Sequence, residues 1–270
     1  MVFAVASDLP LPSSSGRDCS GLKLDHFEFV HDTVGIKGRP RGSPFASAAA
    51  TQQASLPAST QQAPQTADRR EPATGASFPG LYCPDRVASQ PCPLLIGLGQ
   101  RQKRLLGVKN VSVYAVGLYL DPSSAKKFVK SARGLSPQGL QQVYQELIQD
   151  TEAHKSLRMV ITFGKVNAGN FYSALSERLK PQMQTPEEHA ALEEFGARFS
   201  GIKFYKGMPL AFTTSGNGKL TTRIDEQEVG TTASPGLTKA LFNTYLGDNP
   251  VSPSAKESIG QGLLQIAAQP

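Results

Sequence analysis

Cysteine is scarce in this chain of 270 residues, with only Cys19, Cys83 and Cys92. An odd number of cysteines without a repeated spacing is not typical of a disulfide scaffold. No two cysteines form a CxxC pair, and the four histidines are scattered along the chain. The sequence therefore predicts neither a disulfide framework nor a metal site.

Long apolar runs and long basic stripes are also missing. The longest apolar runs fall far below the ~18 residues that a membrane-spanning helix needs. The net charge is only +6, and the cations do not follow one another along a single stripe. We therefore expect neither stable membrane insertion nor nucleic acid as a partner.

The first 70 residues are poor in large apolar side chains, as in the run SPFASAAATQQASLPASTQQAPQT. Burial of so few apolar groups cannot offset the entropy that is lost when the chain is ordered. No such run occurs after Glu71. The composition predicts a disordered tail over residues 1–70 and one domain over residues 71–270.

Acidic residues are absent between Thr33 and Ala67, where Lys37, Arg39 and Arg41 stand among Ser, Thr and Ala. A Ser-rich, basic and acid-poor segment is typical of organelle transit peptides. The acidic residues before Thr33 fit this pattern less well. A plastid transit peptide is our prediction, and a low-complexity tail without a targeting role is the alternative.

The strongest strand signal is VSVYAVGLYL at residues 111–120, where β-branched and aromatic residues follow one another. Further strands are predicted at 71–82, 94–98, 101–106, 156–163, 208–214, 219–225 and 228–232. Helices are predicted after the capping residues Ser136, Asn167, Thr185, Ser234 and Ser252. Strands and helices do not alternate one by one, which predicts an α+β domain: an antiparallel sheet with helices packed on one face.

The segment Gly97-Leu98-Gly99 lacks the third glycine of a GxGxxG motif and does not precede a predicted helix. A dinucleotide site is therefore not indicated, and we expect no cofactor.

Four cations lie close together in GLGQRQKRLLGVKNVSVYAVGLYLD, residues 97–121. Two strands there flank a short connection and predict a hairpin. If its turn is centred between Gly107 and Val108, Arg101 lies directly opposite Tyr114 on one face of the sheet. Side chains alternate between the two faces along the second strand, so Tyr114 lies on the same face as apolar residues. A shift of the strand register by one residue would move these side chains to the opposite face.

An arginine on an apolar face must find partners for its donors. One interpretation is an internal ion pair of Arg101 with a buried carboxylate such as Asp225 or Glu228. The other is a ligand carboxylate held by the planar guanidinium, with the Tyr114 hydroxyl as a second donor. Spacing alone leaves both interpretations open.

The same stretch resembles the signature of the chalcone isomerase fold, and most closely that of its plastid fatty-acid-binding members. The resemblance continues through EPATGASF, SLRMVITFGKVNAGNFYSALSERL, KLTTRIDEQEVGTT and GLTKALFNTYLGDNPVSPSAK, and it covers about residues 71–262. It implies an open-faced β-sandwich in which a ligand cleft lies between the sheet and the helices.

In the fatty-acid-binding branch an arginine and a tyrosine hold the ligand carboxylate, and Arg101 and Tyr114 occupy the matching positions. On this interpretation the residues that could line the cleft are Val116, Leu118, Phe163, Asn170 and Thr231.

The resemblance to true chalcone isomerases implies different residues at two positions. A threonine is usual at the position of Tyr114, and a catalytic tyrosine falls near Thr162 or Phe163, neither of which carries a phenol. An asparagine of the enzymes corresponds to Asn170 or Asn167. No catalytic residue is therefore predicted.

We expect a non-enzymatic protein of the chloroplast stroma that binds free fatty acids. The alternatives are a chalcone–flavanone isomerase, an inactive helper of the flavonoid pathway, or an interaction module whose own side chains fill the cleft.

Overall fold

The computed structural model describes residues 66–84, 91–105, 109–214 and 216–269. The predicted tail before residue 66 lies outside the described residues. The first element is a pair of short strands, β1 (Arg69–Arg70) and β2 (Ser77–Phe78). The predicted domain boundary at Glu71 cuts through this pair, so the domain begins earlier than the composition suggested.

Six strands form the main sheet, and each is antiparallel to the next one along the chain. They are β3 (Leu94–Leu105), β4 (Lys109–Leu120), β5 (Lys155–Ile161), β6 (Pro209–Thr214), β7 (Lys219–Ile224) and β8 (Gln227–Ala233). The two strands predicted at 94–98 and 101–106 are one continuous strand, because Gly97 and Gly99 do not interrupt the pairing with β4.

Six α-helices of the described residues lie between or after the strands. They are α1 (Pro122–Ala132), α2 (Gln141–Gln149), α3 (Ala168–Leu179), α4 (Pro186–Ala197), α5 (Pro235–Leu246) and α6 (Pro253–Ala267), and 3₁₀ turns occupy Pro137–Leu140 and Lys180–Gln182. The predicted caps Asn167, Thr185, Ser234 and Ser252 each accept a hydrogen bond from a backbone amide of the first turn. Ser136 makes no such bond, and a 3₁₀ turn follows it.

The two faces of the sheet are covered differently. Side chains of all six helices join the larger core, which contacts the face that carries Tyr114, Val116 and Leu118. The opposite face has a small cluster without helical residues, in which Phe78 and Tyr82 cover the strands. This arrangement confirms the predicted α+β sheet with helices on one face.

Helix α6 lies directly on β3, and this contact explains the glycines at residues 97 and 99. A Cβ atom at Gly97 would lie 2.4 Å from the Ile259 backbone nitrogen, and one at Gly99 would lie 2.3 Å from that of Ala255. The Ser258 Oγ also accepts a hydrogen bond from the Leu98 amide. These glycines allow the helix to approach the sheet closely.

A disulfide joins Cys83 to Cys92, which the cysteine count did not predict. The backbone brings the two residues together, because the Tyr82 amide donates to the Pro93 carbonyl and Leu81 pairs with Leu94. Counting cysteines could not show this, since the pairing is set by an extra strand segment beside β3. None of the helices in the described part of the chain is both long and apolar enough to cross a membrane.

Candidate ligand-binding site

The hairpin of β3 and β4 places Arg101 opposite Tyr114, as predicted. The predicted turn centre, however, is wrong: it would pair Arg104 with Val111, whereas Arg104 pairs with Asn110. A bulge corrects the register, because Arg101 pairs with Tyr114 and Gln102 pairs with Ser112, which leaves Val113 without a partner. Tyr114 is thereby turned towards the helices.

Arg101 and Tyr114 form a polar pair at the edge of the core. The Arg101 Nη1 donates to the Tyr114 hydroxyl at 3.4 Å, and the guanidinium carbon lies 5.8 Å from the centre of the Tyr114 ring. Only 1% of Tyr114 is exposed, whereas Arg101 is half-buried. The charge therefore lies between the apolar core and the solvent.

A third residue, Tyr245 on α5, completes this group. Its hydroxyl lies 2.6 Å from the Tyr114 hydroxyl and 3.8 Å from the Met159 Sδ. Burial, and then the neighbouring Tyr114, raise the pKa of Tyr245 well above its usual value, so the phenol stays protonated. Tyr245 was not predicted as a site residue, although its spacing from Leu237 and Leu241 places it on the core-facing side of the helix.

Arg101 has no carboxylate within ion-pair distance in the described part of the chain. The two internal partners considered above are engaged elsewhere: Asp225 accepts from Tyr205 at 2.5 Å, and Glu228 pairs with Arg223 at 2.9 Å. Burial lowers the pKa of Arg101, but Tyr114, Tyr245 and Glu177 together raise it above its usual value. Arg101 therefore remains a cation.

A cavity of about 140 Å³ opens beside this pair, between the β3–β4 hairpin and α3. Its walls carry apolar side chains next to three cationic ones. They are Arg101, Lys103, Val111, Val113, Tyr114, Phe163, Lys165, Val166, Asn170, Phe171 and Ala174. Phe171 packs edge-to-face on Tyr114, with 5.8 Å between the ring centres, and closes the inner end.

The structure brings only some of the predicted cleft residues to this cavity. Phe163 and Asn170 line it together with Arg101 and Tyr114. Val116 and Leu118 do not, because both are fully buried in the larger core.

Thr231 is also outside the cavity, on β8 at the far edge of the sheet from β3. Its neighbour Thr232 accepts hydrogen bonds from Arg198, the residue that follows α4, and so faces the helices. Thr231 is exposed on the opposite face, where its hydroxyl lies 2.8 Å from that of Thr221.

The cavity offers groups for binding an amphiphilic anion and few for chemistry. Thr162 donates its hydroxyl to the Ser112 carbonyl at 2.7 Å, and Phe163 presents a hydrocarbon ring, so neither supplies a phenol. The described residues contain no group of three His, Cys, Asp or Glu side chains placed to hold a metal ion. The walls combine cationic side chains, the Tyr114 hydroxyl and apolar surface.

Comparisons with known proteins agree with this architecture. Fatty-acid-binding protein 2 of Arabidopsis thaliana is 26% identical over 204 residues, which cover 73% of this chain but only 51% of that protein. Chalcone isomerase-like protein 1 of Humulus lupulus is 26% identical over 208 residues, covering 74% of this chain and 94% of that protein. This chain thus matches about half the length of the first of these relatives.

A solved structure shows the same fold. The crystal structure of a fatty-acid-binding protein of Arabidopsis thaliana superposes with a TM-score of 0.61 at 25% sequence identity, covering 73% of this chain and 97% of that one. The family model described as chalcone-flavanone isomerase matches residues 78–266, which is most of the described chain. The chain therefore belongs to the chalcone-flavanone isomerase family.

Proposed function

We propose that this protein binds free fatty acids without chemically changing them, and that Arg101 and Tyr114 hold the ligand carboxylate. The observation that carries the proposal is the half-buried guanidinium of Arg101, which faces an apolar cavity and has no carboxylate partner in the described part of the chain. The fatty-acid-binding names of two relatives and of one structural neighbour support it.

The hydrogen bonds around Tyr114 suit this role. Its oxygen can accept from Arg101 on one side and from Tyr245 on the other. The Tyr114 proton is then available for a ligand oxygen, and the guanidinium donates through its remaining N–H groups. Two donors would meet one carboxylate at the inner end of the cavity, and hydrogen bonds between ionised groups are the strong ones.

The apolar walls would hold the first part of the acyl chain. Each buried methylene contributes about 0.8 kcal/mol before ordering costs, so the chain supplies most of the affinity and the polar pair sets the orientation. A cavity of about 140 Å³ is close to the size of an engineered cavity that accepts benzene, ~150 Å³. A long chain must therefore displace side chains or leave through the open side.

We further propose that the protein acts in the chloroplast stroma. The Ser-rich, basic and acid-poor composition of residues 33–67 supports this location. A fluorescent protein fused behind residues 1–70 should enter chloroplasts. Retention of the fusion in the cytosol would contradict the location but not the binding function.

Native mass spectrometry of the purified protein tests the binding function directly. We expect a mass increase of one fatty acid per chain, either from lipid that co-purifies or after addition of dodecanoic acid. Release of a flavonoid instead would favour the isomerase branch. A chain that takes up neither would favour an interaction module whose cavity is not a ligand site.

A further inference from the structure

The cavity carries more positive charge than one carboxylate can neutralise. Arg101, Lys103 and Lys165 all line it, and no Asp or Glu does. Glu177 helps to raise the pKa of Arg101, but it lies farther away than an ion pair. A fatty acid bound through Arg101 would therefore leave two lysines beside its chain.

The three cations are not at the same depth. Lys103 follows Arg101 by two residues on the same face of β3, which is a displacement of about 7 Å along the strand. Lys103 pairs across the hairpin with Val111, whereas Arg101 pairs with the buried Tyr114. The polar group of Arg101 and Tyr114 thus forms the inner end of the cavity.

Lys103, Lys165 and Asn170 are exposed and form the outer rim. Val111, Val113 and Phe163 line the cavity together with these two polar ends. A ligand that extended from the inner end to the rim would pass along the apolar side chains and then contact the polar groups of the rim.

The described residues do not neutralise the rim charges. Neither Lys103 nor Lys165 forms an ion pair in that part of the chain. Helix α3 begins at Ala168, three residues after Lys165, and its N-terminus adds partial positive charge at this end of the cavity.

We propose that the preferred ligand carries a second anionic group at its far end, which binds Lys103 and Lys165 at the rim. The ligand class is a medium-chain α,ω-dicarboxylic acid: one carboxylate lies on Arg101 and Tyr114, and the other lies at the mouth. This inference rests on the proposed function, because it uses the same inner site. The small volume of the cavity agrees with a short chain between the two charged ends.

The competing explanation is that both lysines lay their hydrocarbon stems along the acyl chain and extend their ammonium groups into water. A plain fatty acid would then bind better than a diacid, because nothing would offset the cost of bringing the second carboxylate to the rim. The two explanations predict opposite orders of affinity.

Calorimetric titration with three ligands of equal chain length separates them. The ligands are octanoic acid, octanedioic acid and the monomethyl ester of octanedioic acid, measured at about pH 8, where carboxylates are ionised. We expect octanedioic acid to bind about fivefold to tenfold more tightly than the other two, as one or two exposed ion pairs allow. Added salt should reduce this advantage.

The double variant Lys103→Gln, Lys165→Gln should lose the preference for the diacid, so that its dissociation constants for octanedioic acid and octanoic acid become nearly equal. A matched control, Lys126→Gln with Lys130→Gln, removes two exposed charges from α1 and should keep the preference. Octanoic acid binding as well as or better than the diacid would overturn the inference and leave the proposed function intact. A preference that survives in the rim variant would overturn the assignment to these lysines.

Failure of the proposed function gives a different result. The parent protein would then bind none of the three ligands and would not bind dodecanoic acid either. Circular dichroism spectra and thermal melts of each variant must match those of the parent protein, so that a folding defect is not read as a loss of binding.

Discussion

Tyr114 lies opposite Arg101 because Val113 bulges out of β4. Without the bulge, the register nearer the turn would continue and would pair Arg101 with Val113. The residue opposite the arginine would then be a valine, and the tyrosine would pair elsewhere. The polar pair that defines the site thus depends on one extra residue in one strand.

The packing of α6 on β3 predicts that Gly99 cannot carry a side chain. A Cβ atom there would lie 2.3 Å from the Ala255 backbone nitrogen, so α6 must shift. We expect Gly99→Ala to lower the free energy of unfolding by about 1–3 kcal/mol, measured by urea denaturation. The control is Gly139→Ala, where the nearest atom would lie at 3.5 Å. Equal stability of the two variants would contradict this account of the glycine pair.

Much of this fold follows from local sequence signals. Residues 111–120 form a strand, and Asn167, Thr185, Ser234 and Ser252 cap helices, since each signal depends only on neighbouring residues. Bulges are different, because they depend on how two strands fit together along their whole length and not only on the residues beside them. The predicted register was right at Arg101 only because the bulge at Val113 offset an error at the turn.

Tyr245 shows the same limit for the site. Nothing near it in sequence distinguishes it from another core residue of an apolar helix. It meets Tyr114 only because α5 packs across β4 and β5, which is a property of the whole domain. Thr231, in contrast, was predicted to line the cleft and does not. It belongs to a sequence block that resembles the family, yet it lies on the face away from the helices.

Lys155 predicts an unusual pH dependence of stability. It is fully buried and donates to the Leu147 and Asp150 carbonyls at the end of α2, and burial lowers its pKa to about 7. In the unfolded chain the lysine keeps its usual pKa of 10.5 and holds the proton up to that pH. Between about pH 7 and 9.5 the unfolded state therefore holds more protons, so stability should rise with pH by on the order of 2–4 kcal/mol.

Lys155→Met should remove most of that slope, because the variant has no ammonium group to titrate. Urea denaturation at a series of pH values measures it, and Lys126→Met, which removes an exposed lysine of α1, is the control. Parallel stability curves for the parent and the Lys155→Met protein would show that Lys155 stays charged in the fold.

The pairing of β1 with β2 predicts where the chain can be shortened. Deletion of residues 1–65 should leave the melting temperature unchanged, because their composition offers little to bury. Deletion of residues 1–70 also removes β1, the hydrogen bond from Arg69 to the Ile96 carbonyl, and that from the Gly80 amide to Asp68. We expect the melting temperature of this second variant to fall by about 2–4 °C for each kcal/mol of stability lost. A lower melting temperature after deletion of residues 1–65 alone would show that the tail packs on the domain.

We expect no stereoselective isomerase activity, because Thr162 and Phe163, which stand near the position of the catalytic tyrosine of the enzymes, supply no phenol. Chalcones also cyclise unaided, so the assay must separate the two enantiomers of the flavanone by chiral chromatography. Equal amounts at the buffer rate are the expected result. A single enantiomer formed only with folded protein would place the chain in the enzymatic branch.

The central claim is that Arg101 binds a carboxylate, and comparing an acid with its ester tests it most directly. Dodecanoic acid should bind the parent protein, and its methyl ester should bind poorly. Arg101→Gln should weaken binding of the acid by about 1.5–3 kcal/mol, the usual contribution of hydrogen bonds to a charged group. Arg101→Lys should restore only part of the loss, because an ammonium lacks the planar fork. Tyr114→Phe should cost less, about 0.5–1.5 kcal/mol.

The decisive measurement is the ratio of the two dissociation constants, acid against methyl ester, in the parent protein and in Arg101→Gln, both with the circular dichroism spectrum and melt of the parent. The account predicts a large ratio that favours the acid in the parent and a ratio near one in the variant. Equal binding of acid and ester by the parent protein would contradict it, and Arg101 would then not be the group that selects the ligand.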